Sequence, residues 1–122
     1  MANVKVEMTA EKLQEFICKT LCSKKATNVQ SVFVKDKTVV ADYYVIASGR
    51  ATVHVKSLID YVDEELSKIG IEPVRREGVR EGRWAVLDYG DVVVHVFNDE
   101  ARDFYQLERL WADDKNVIRY ED

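Results

Sequence analysis

The stretch from Trp84 to Phe97 constrains this chain more than any other. Its two apolar runs, Trp84-Ala85-Val86-Leu87-Asp88-Tyr89 and Val92-Val93-Val94-His95-Val96-Phe97, are rich in β-branched and aromatic residues and are joined at Gly90-Asp91. That is the pattern of an antiparallel hairpin with a glycine where the turn needs positive φ. The hairpin leads at once into a helical pattern, capped by Asn98 or Asp99 and running to Trp111, that contains Arg102-x-x-Tyr105-x-Leu107-Glu108-x-Leu110-Trp111. Carboxylates, a histidine and large aromatics gathered in one such unit suit a docking surface as well as a catalytic cleft.

Upstream, Thr9 can cap a first helix to about Ser23, with Met8 placed to pack on Leu13, and Leu13, Phe16, Ile17 and Leu21 form its apolar stripe. Val29 to Val34 and Val39 to Ala47 read as an antiparallel strand pair turned at Lys35-Asp36-Lys37. In the second strand Tyr43, Val45 and Ala47 point one way and Asp42, Tyr44 and Ile46 the other. Neither set is uniformly polar, so the strand is central. Thr52 starts a second helix with the stripe Val55, Leu58, Ile59, Val62, Leu66 and Ile69, closed by Gly70. Ile71 to Arg75, with Pro73, reads as an edge strand and Arg76 to Arg83 as a loop. Ala112 to Asp122 lacks periodicity and is expected to be a loosely held tail from about 113. The order predicts an α/β (α+β) fold: a mixed β-sheet with flanking helices, in a single domain spanning residues 1–122.

A chain of 122 residues, 47% hydrophobic and 33% charged, can bury one core. No apolar run approaches the ~20 residues that cross a bilayer, and Met1 to Met8 lacks the pattern of a signal peptide, so a cytoplasmic protein without membrane contact is expected. Cys18 and Cys22, the only cysteines, have no second pair for a disulfide framework or zinc site and read as reduced thiols at a core edge. A net charge of −4 and a pI near 5.2 argue against a broad basic stripe for nucleic acid, hence against direct sequence-specific nucleic-acid binding. A basic protein partner suits this chain better.

Catalytic readings find little support. Asp42, Asp88 and Asp91 lie in or beside strands, but nucleotidyl transfer wants a Gly-Ser helix entry and two carboxylates on one strand face. Here Ser48-Gly49 is reversed and no such pair exists. His54 and His95 have no adjacent nucleophile turn, and Gly78-Val79-Arg80-Glu81-Gly82 lacks the lysine and helix of a phosphate cradle. No cofactor, metal or catalytic residue is assigned. His54 reads as a hydrogen bond to a nearby loop. Leu107, Leu110 and Phe104 read as core, while Trp84, Asp88, Tyr89 and Asp91 read as surface.

These residues resemble the ribosomal silencing factors, also called Iojap-like proteins. The matching stretches are Asp42-Tyr43-Tyr44-Val45-Ile46-Ala47-Ser48-Gly49, His54-Val55, Glu77-Gly78, Trp84-x-x-Leu87-Asp88-Tyr89-Gly90-Asp91-Val92-Val93-Val94-His95-Val96-Phe97 and the Arg102 to Trp111 pattern. Ala51 and Val53 depart from the family's serine and arginine. The resemblance implies a nucleotidyltransferase-like fold without catalytic carboxylates. It further implies a non-enzymatic translational repressor that binds the large ribosomal subunit through ribosomal protein fourteen, blocks the small subunit sterically and lowers translation when nutrients are scarce. The contact residues it implies are Trp84, Leu87, Asp88, Tyr89 and Asp91, with His95 and Glu108. An apolar sheet surface left open could also pair two copies into a homodimer off the ribosome. The alternatives are a large-subunit assembly factor and a nucleotidyltransferase using Asp42 and Asp88 with Mg²⁺.

Overall fold

The computed structural model describes residues 8–113 and 115–121. Along them run α1 (Ala10–Ser23), β1 (Thr27–Phe33), β2 (Tyr43–Gly49), α2 (Thr52–Ser67), β3 (Arg75–Glu77), β4 (Trp84–Asp88), β5 (Val92–Asn98), α3 (Asp99–Tyr105), α4 (Leu107–Trp111) and β6 (Val117–Tyr120). The strands form one mixed sheet in the order β3-β4-β5-β2-β1-β6. All neighbours are antiparallel except β2 and β5, which run parallel because α2 and the β3–β4 hairpin intervene.

Both long helices pack on one face of this sheet. Thr9 caps α1 by accepting from the Lys12 amide at 3.2 Å, and Met8 joins the same core as Leu13. The α1 stripe Leu13, Ile17 and Leu21 and the α2 stripe Val55, Leu58, Ile59, Val62 and Leu66 meet Val45, Ala47, Leu87, Val92, Val94 and Val96 from the strands. Each Val, Leu or Ile so enclosed contributes about 1.5–3 kcal/mol of transfer free energy. Cys18 and Cys22 lie within this core, and burial pushes the Cys18 thiol well above its usual range. β2, between β5 and β1, is buried on both faces, as its two-sided pattern predicts.

Several boundaries differ from the sequence reading. β2 begins at Tyr43 rather than Val39: the Val34 amide donates to the Asp42 carbonyl at 2.8 Å, closing a loop that leaves Val39 fully exposed. α2 does start at Thr52, and the residue at its cap, Ala51, offers no side-chain hydrogen bond. The edge strand lies after Pro73, at Arg75–Glu77, so it shares only Arg75 with the expected strand and runs into the stretch expected to be loop. The expected loose tail is corrected as well. Residues Val117–Tyr120 form β6, paired with β1 from Val29↔Tyr120 to Val32↔Val117, and Tyr120 Oη donates to Gln14 Oε1 at 3.2 Å.

The single expected C-terminal helix is two short ones. Asn98 caps α3, accepting from the Ala101 amide at 2.8 Å, but Gln106 adopts a left-handed conformation (φ 48°) and breaks the helix before α4. The break turns the chain, so that Ala101, Leu107 and Trp111 pack on the second face of the sheet with Val32, Tyr44, Ile46 and Phe97.

Candidate docking surface

The second face is only partly covered. Strand alternation brings Trp84, Val86 and Asp88 of β4, Val93, His95 and Phe97 of β5, and Tyr44, Ile46 and Ser48 of β2 to it. Across it runs a band of aromatic contacts. Trp84 stacks on Phe97 (centroids 5.1 Å, 25° between planes) and lies 4.8 Å from Tyr105. Its Nε1–H donates to His95 Nδ1 at 3.1 Å. Tyr44 meets His95 edge-on at 5.2 Å and Trp111 at 5.4 Å. The β4–β5 hairpin thus supplies the middle of the band, and α3 and α4 supply its two ends. Rings locked this way present area at little entropic cost on association.

His95 is the electrostatic centre of the band. With Nδ1 accepting from Trp84, the neutral ring carries its proton on Nε2, which is buried without a hydrogen-bond partner among the described residues. Burial pulls its pKa from 6.5 down to about 4, against a small opposing pull from Asp88. Because the folded value lies below the unfolded one, stability is fully present above pH 6.5 and is lost as pH falls toward 4. At pH 5 the expected loss relative to pH 7 is about 2 kcal/mol. Urea denaturation at the two pH values checks this, and His95→Gln should flatten the dependence. Equal pH profiles for the two proteins would contradict it.

The structure sorts the other residues predicted from sequence. Trp84 is half-buried at the open edge of the band and Asp91 is exposed at the hairpin tip, as expected. Asp88 is on the open face but engaged: Oδ2 accepts from Arg75 Nη2 at 3.0 Å and Oδ1 from the Gly90 amide at 2.8 Å. Leu87 must be withdrawn as a contact residue, because it is fully buried on the helix face. Tyr89 belongs to that face too, one residue out of phase with Asp88. Burial raises its phenol, helped by Asp63 and Glu72 and opposed by Arg76. Glu108 is taken up internally: its Oε2 accepts from Nε of the buried Arg102 at 3.2 Å. Arg102 Nη1 in turn donates to the Asn28 carbonyl (2.8 Å) and to Ser48 Oγ (3.0 Å). Asn28 can offer that carbonyl because it sits at φ 53° where the β1–β2 register slips.

Sequence reasoning missed the outer rim. Phe104 and Leu110 were expected in the core, yet they are 75% and 73% exposed, and Tyr105 is 46% exposed. The break at Gln106 is the cause, and neither glycine nor proline signals it. With Trp84, Tyr105 and Phe104 form an apolar ridge beside the open sheet, and Leu110 adds exposed apolar surface on α4. His54 does bind a loop: Nδ1 accepts from the Arg50 amide (3.0 Å) and Nε2–H donates to the Lys24 carbonyl (2.9 Å). Asp42 and Asp88 are not brought together on adjacent strands, since β5 separates β2 from β4. Among the described residues, no helix is long and apolar enough to cross a membrane.

Residues 7–122 match the sequence profile of the family described as ribosomal silencing factor during starvation. A ribosomal silencing factor of Halalkalibacterium halodurans is 34% identical over 110 residues, covering 90% of this chain and 94% of that protein. A mouse protein named for mitochondrial assembly of the ribosomal large subunit is 35% identical over 74 residues, 58% of this chain and 32% of its own length. A crystal structure of a Chromobacterium violaceum protein superposes with a TM-score of 0.84 at 30% identity, covering 88% of this chain and 90% of that one. With the whole described sheet and the aromatic hairpin inside the matched region, the chain belongs to the ribosomal silencing factor family.

Proposed function

We propose that this chain is a non-enzymatic repressor of translation, working in the cytoplasm, that docks on the large ribosomal subunit through a basic surface of ribosomal protein fourteen. Seated there, it occupies volume that the small subunit needs, and so lowers translation under nutrient limitation. The observation that carries the reading is the aromatic band with its exposed rim of Phe104 and Tyr105 beside Trp84. Such a cluster of rigid apolar anchors, with Asp91 and other carboxylates at its margin, is what a hot spot on a basic partner requires. Steric exclusion then makes joining strictly competitive, so the apparent joining constant weakens in proportion to occupancy.

Light scattering of subunit joining is the direct test. Saturating the large subunit with this protein should suppress the joining signal nearly completely, and adding free ribosomal protein fourteen should restore it. Unchanged joining at saturation would end the reading. The name of the mouse relative supports a second one, in which the same docking guards immature large subunits. Precursor particles accumulating in growing cells that lack the protein, with joining unaffected in vitro, would favour it.

A further inference from the structure

A chain with an overall negative charge keeps one end positive. Three segments far apart in sequence converge there: Lys24-Lys25 after α1, Ser48 to Ser57 around the start of α2, and Gly78 to Arg83 before β4. Together they hold six lysines and arginines and one carboxylate, Glu81. Their convergence is direct. His54 bridges the Arg50 amide to the Lys24 carbonyl, and the loop touches the start of α2 so closely that a Cβ at Gly82 would fall 2.8 Å from the Thr52 carbonyl oxygen. Lys24, Val53 and Lys56 line one side of a groove whose other side carries Asp60, Tyr61 and Glu64, with the Lys24 ammonium 4.3 Å from the Tyr61 ring centre. Of the acids nearest to them, Asp60 accepts from Arg76 at 2.7 Å and Glu64 lies 4.0 Å from Lys68, both cations outside the cluster, while Glu100, 3.8 Å from Arg83, offsets one of the six. Arg83 adjoins Trp84, so the positive end borders the docking band.

We infer that this end is a second contact surface, reading the phosphate backbone of ribosomal RNA without regard to sequence. It rests on the docking reading above and extends it. A net-negative protein is repelled by an RNA-rich particle at every orientation except the one that turns its positive end to the RNA. Segregating the charge therefore sets the angle at which the aromatic band meets its protein partner. The chemistry is sequence-independent because lysine and arginine here address phosphates, and each contact releases counterions and steepens the salt dependence.

The test compares the full-length protein with Lys24→Gln/Arg50→Gln/Lys56→Gln; Lys24 and Arg50 are exposed and Lys56 is half-buried, and the His54 bridge runs to backbone atoms that the substitutions keep. Binding to isolated ribosomal protein fourteen, free of RNA, should be unchanged. Binding to purified large subunits should lose about two to three units of log–log salt slope. The wild type should therefore weaken roughly 16- to 64-fold more than the variant between 50 and 200 mM salt. In parallel, p-benzoylphenylalanine placed at Val53, a 77% exposed position between Lys24 and Lys56, should crosslink to ribosomal RNA in an RNase-sensitive product. Equal salt slopes, or a crosslink only to protein, would overturn the inference while leaving the docking reading standing. A variant that loses the isolated protein as well would overturn it by assigning the patch to that interface. Failure of the wild type to bind either target would remove both.

Discussion

Trp84→Ala is expected to abolish pull-down of ribosomal protein fourteen while the chain still folds. The indole sits in the middle of the band and still reaches solvent. It stacks on Phe97, touches Tyr105 and donates to His95. Truncation of such a central aromatic costs about 2–4 kcal/mol of binding, or roughly 30- to 1,000-fold in Kd. The folding cost should be smaller, about 2 kcal/mol, because the ring is half-buried and a fully buried tryptophan would lose 3–5. Trp84→Phe keeps an aromatic ring for the stack and removes the N–H and part of the ring area, so it should bind within about tenfold of wild type. Calorimetric titration beside thermal melts separates the two effects. Normal binding by the alanine variant would place the docking surface elsewhere, whatever the family.

The largest effect on stability should come from Arg102→Ala. This guanidinium lies 4% exposed between β1, β2 and α4, and its removal leaves Glu108, half-buried with Oε1 shut off from solvent, without its cation. Breaking a buried pair from one side costs about 3–5 kcal/mol. For a domain of this size that is a fall in Tm of roughly 10–20 °C. Arg102→Ala/Glu108→Ala should be less damaged than the single variant, because it removes the stranded charge, and the double-mutant cycle measures the coupling. Binding should weaken too, since α3 and α4 carry Phe104, Tyr105 and Leu110. A single variant as stable as wild type would mean that the pair holds nothing.

Much of this architecture was readable before any coordinates. The hairpin, both long helices and the two-sided character of β2 follow from alternation and helical spacing, because those signals report burial directly. Alternation also contained the correction for Tyr89, since adjacent strand residues cannot share a face and Asp88 and Trp84 are in phase. The rim was not legible. A glutamine in the left-handed region leaves no compositional mark, and uninterrupted helical spacing assigns Phe104 and Leu110 to the core. The tie between Arg102 and Glu108 was hidden for the same reason, because six residues do not bring two side chains together on an unbroken helix. β6 is four residues long and mixes arginine and tyrosine with valine and isoleucine. Only its distant partner β1 makes it a strand.

That last pairing has a consequence for how the molecule is born. As the polypeptide emerges from the tunnel, Val29 to Val32 are synthesised early, yet the residues that cover their outer edge come out long afterwards. Throughout that interval the nascent sheet carries a row of bare amides and carbonyls on which another strand could template. Pairing with Val117–Tyr120 therefore replaces that long template by a four-residue edge, too short for a neighbouring chain to copy well.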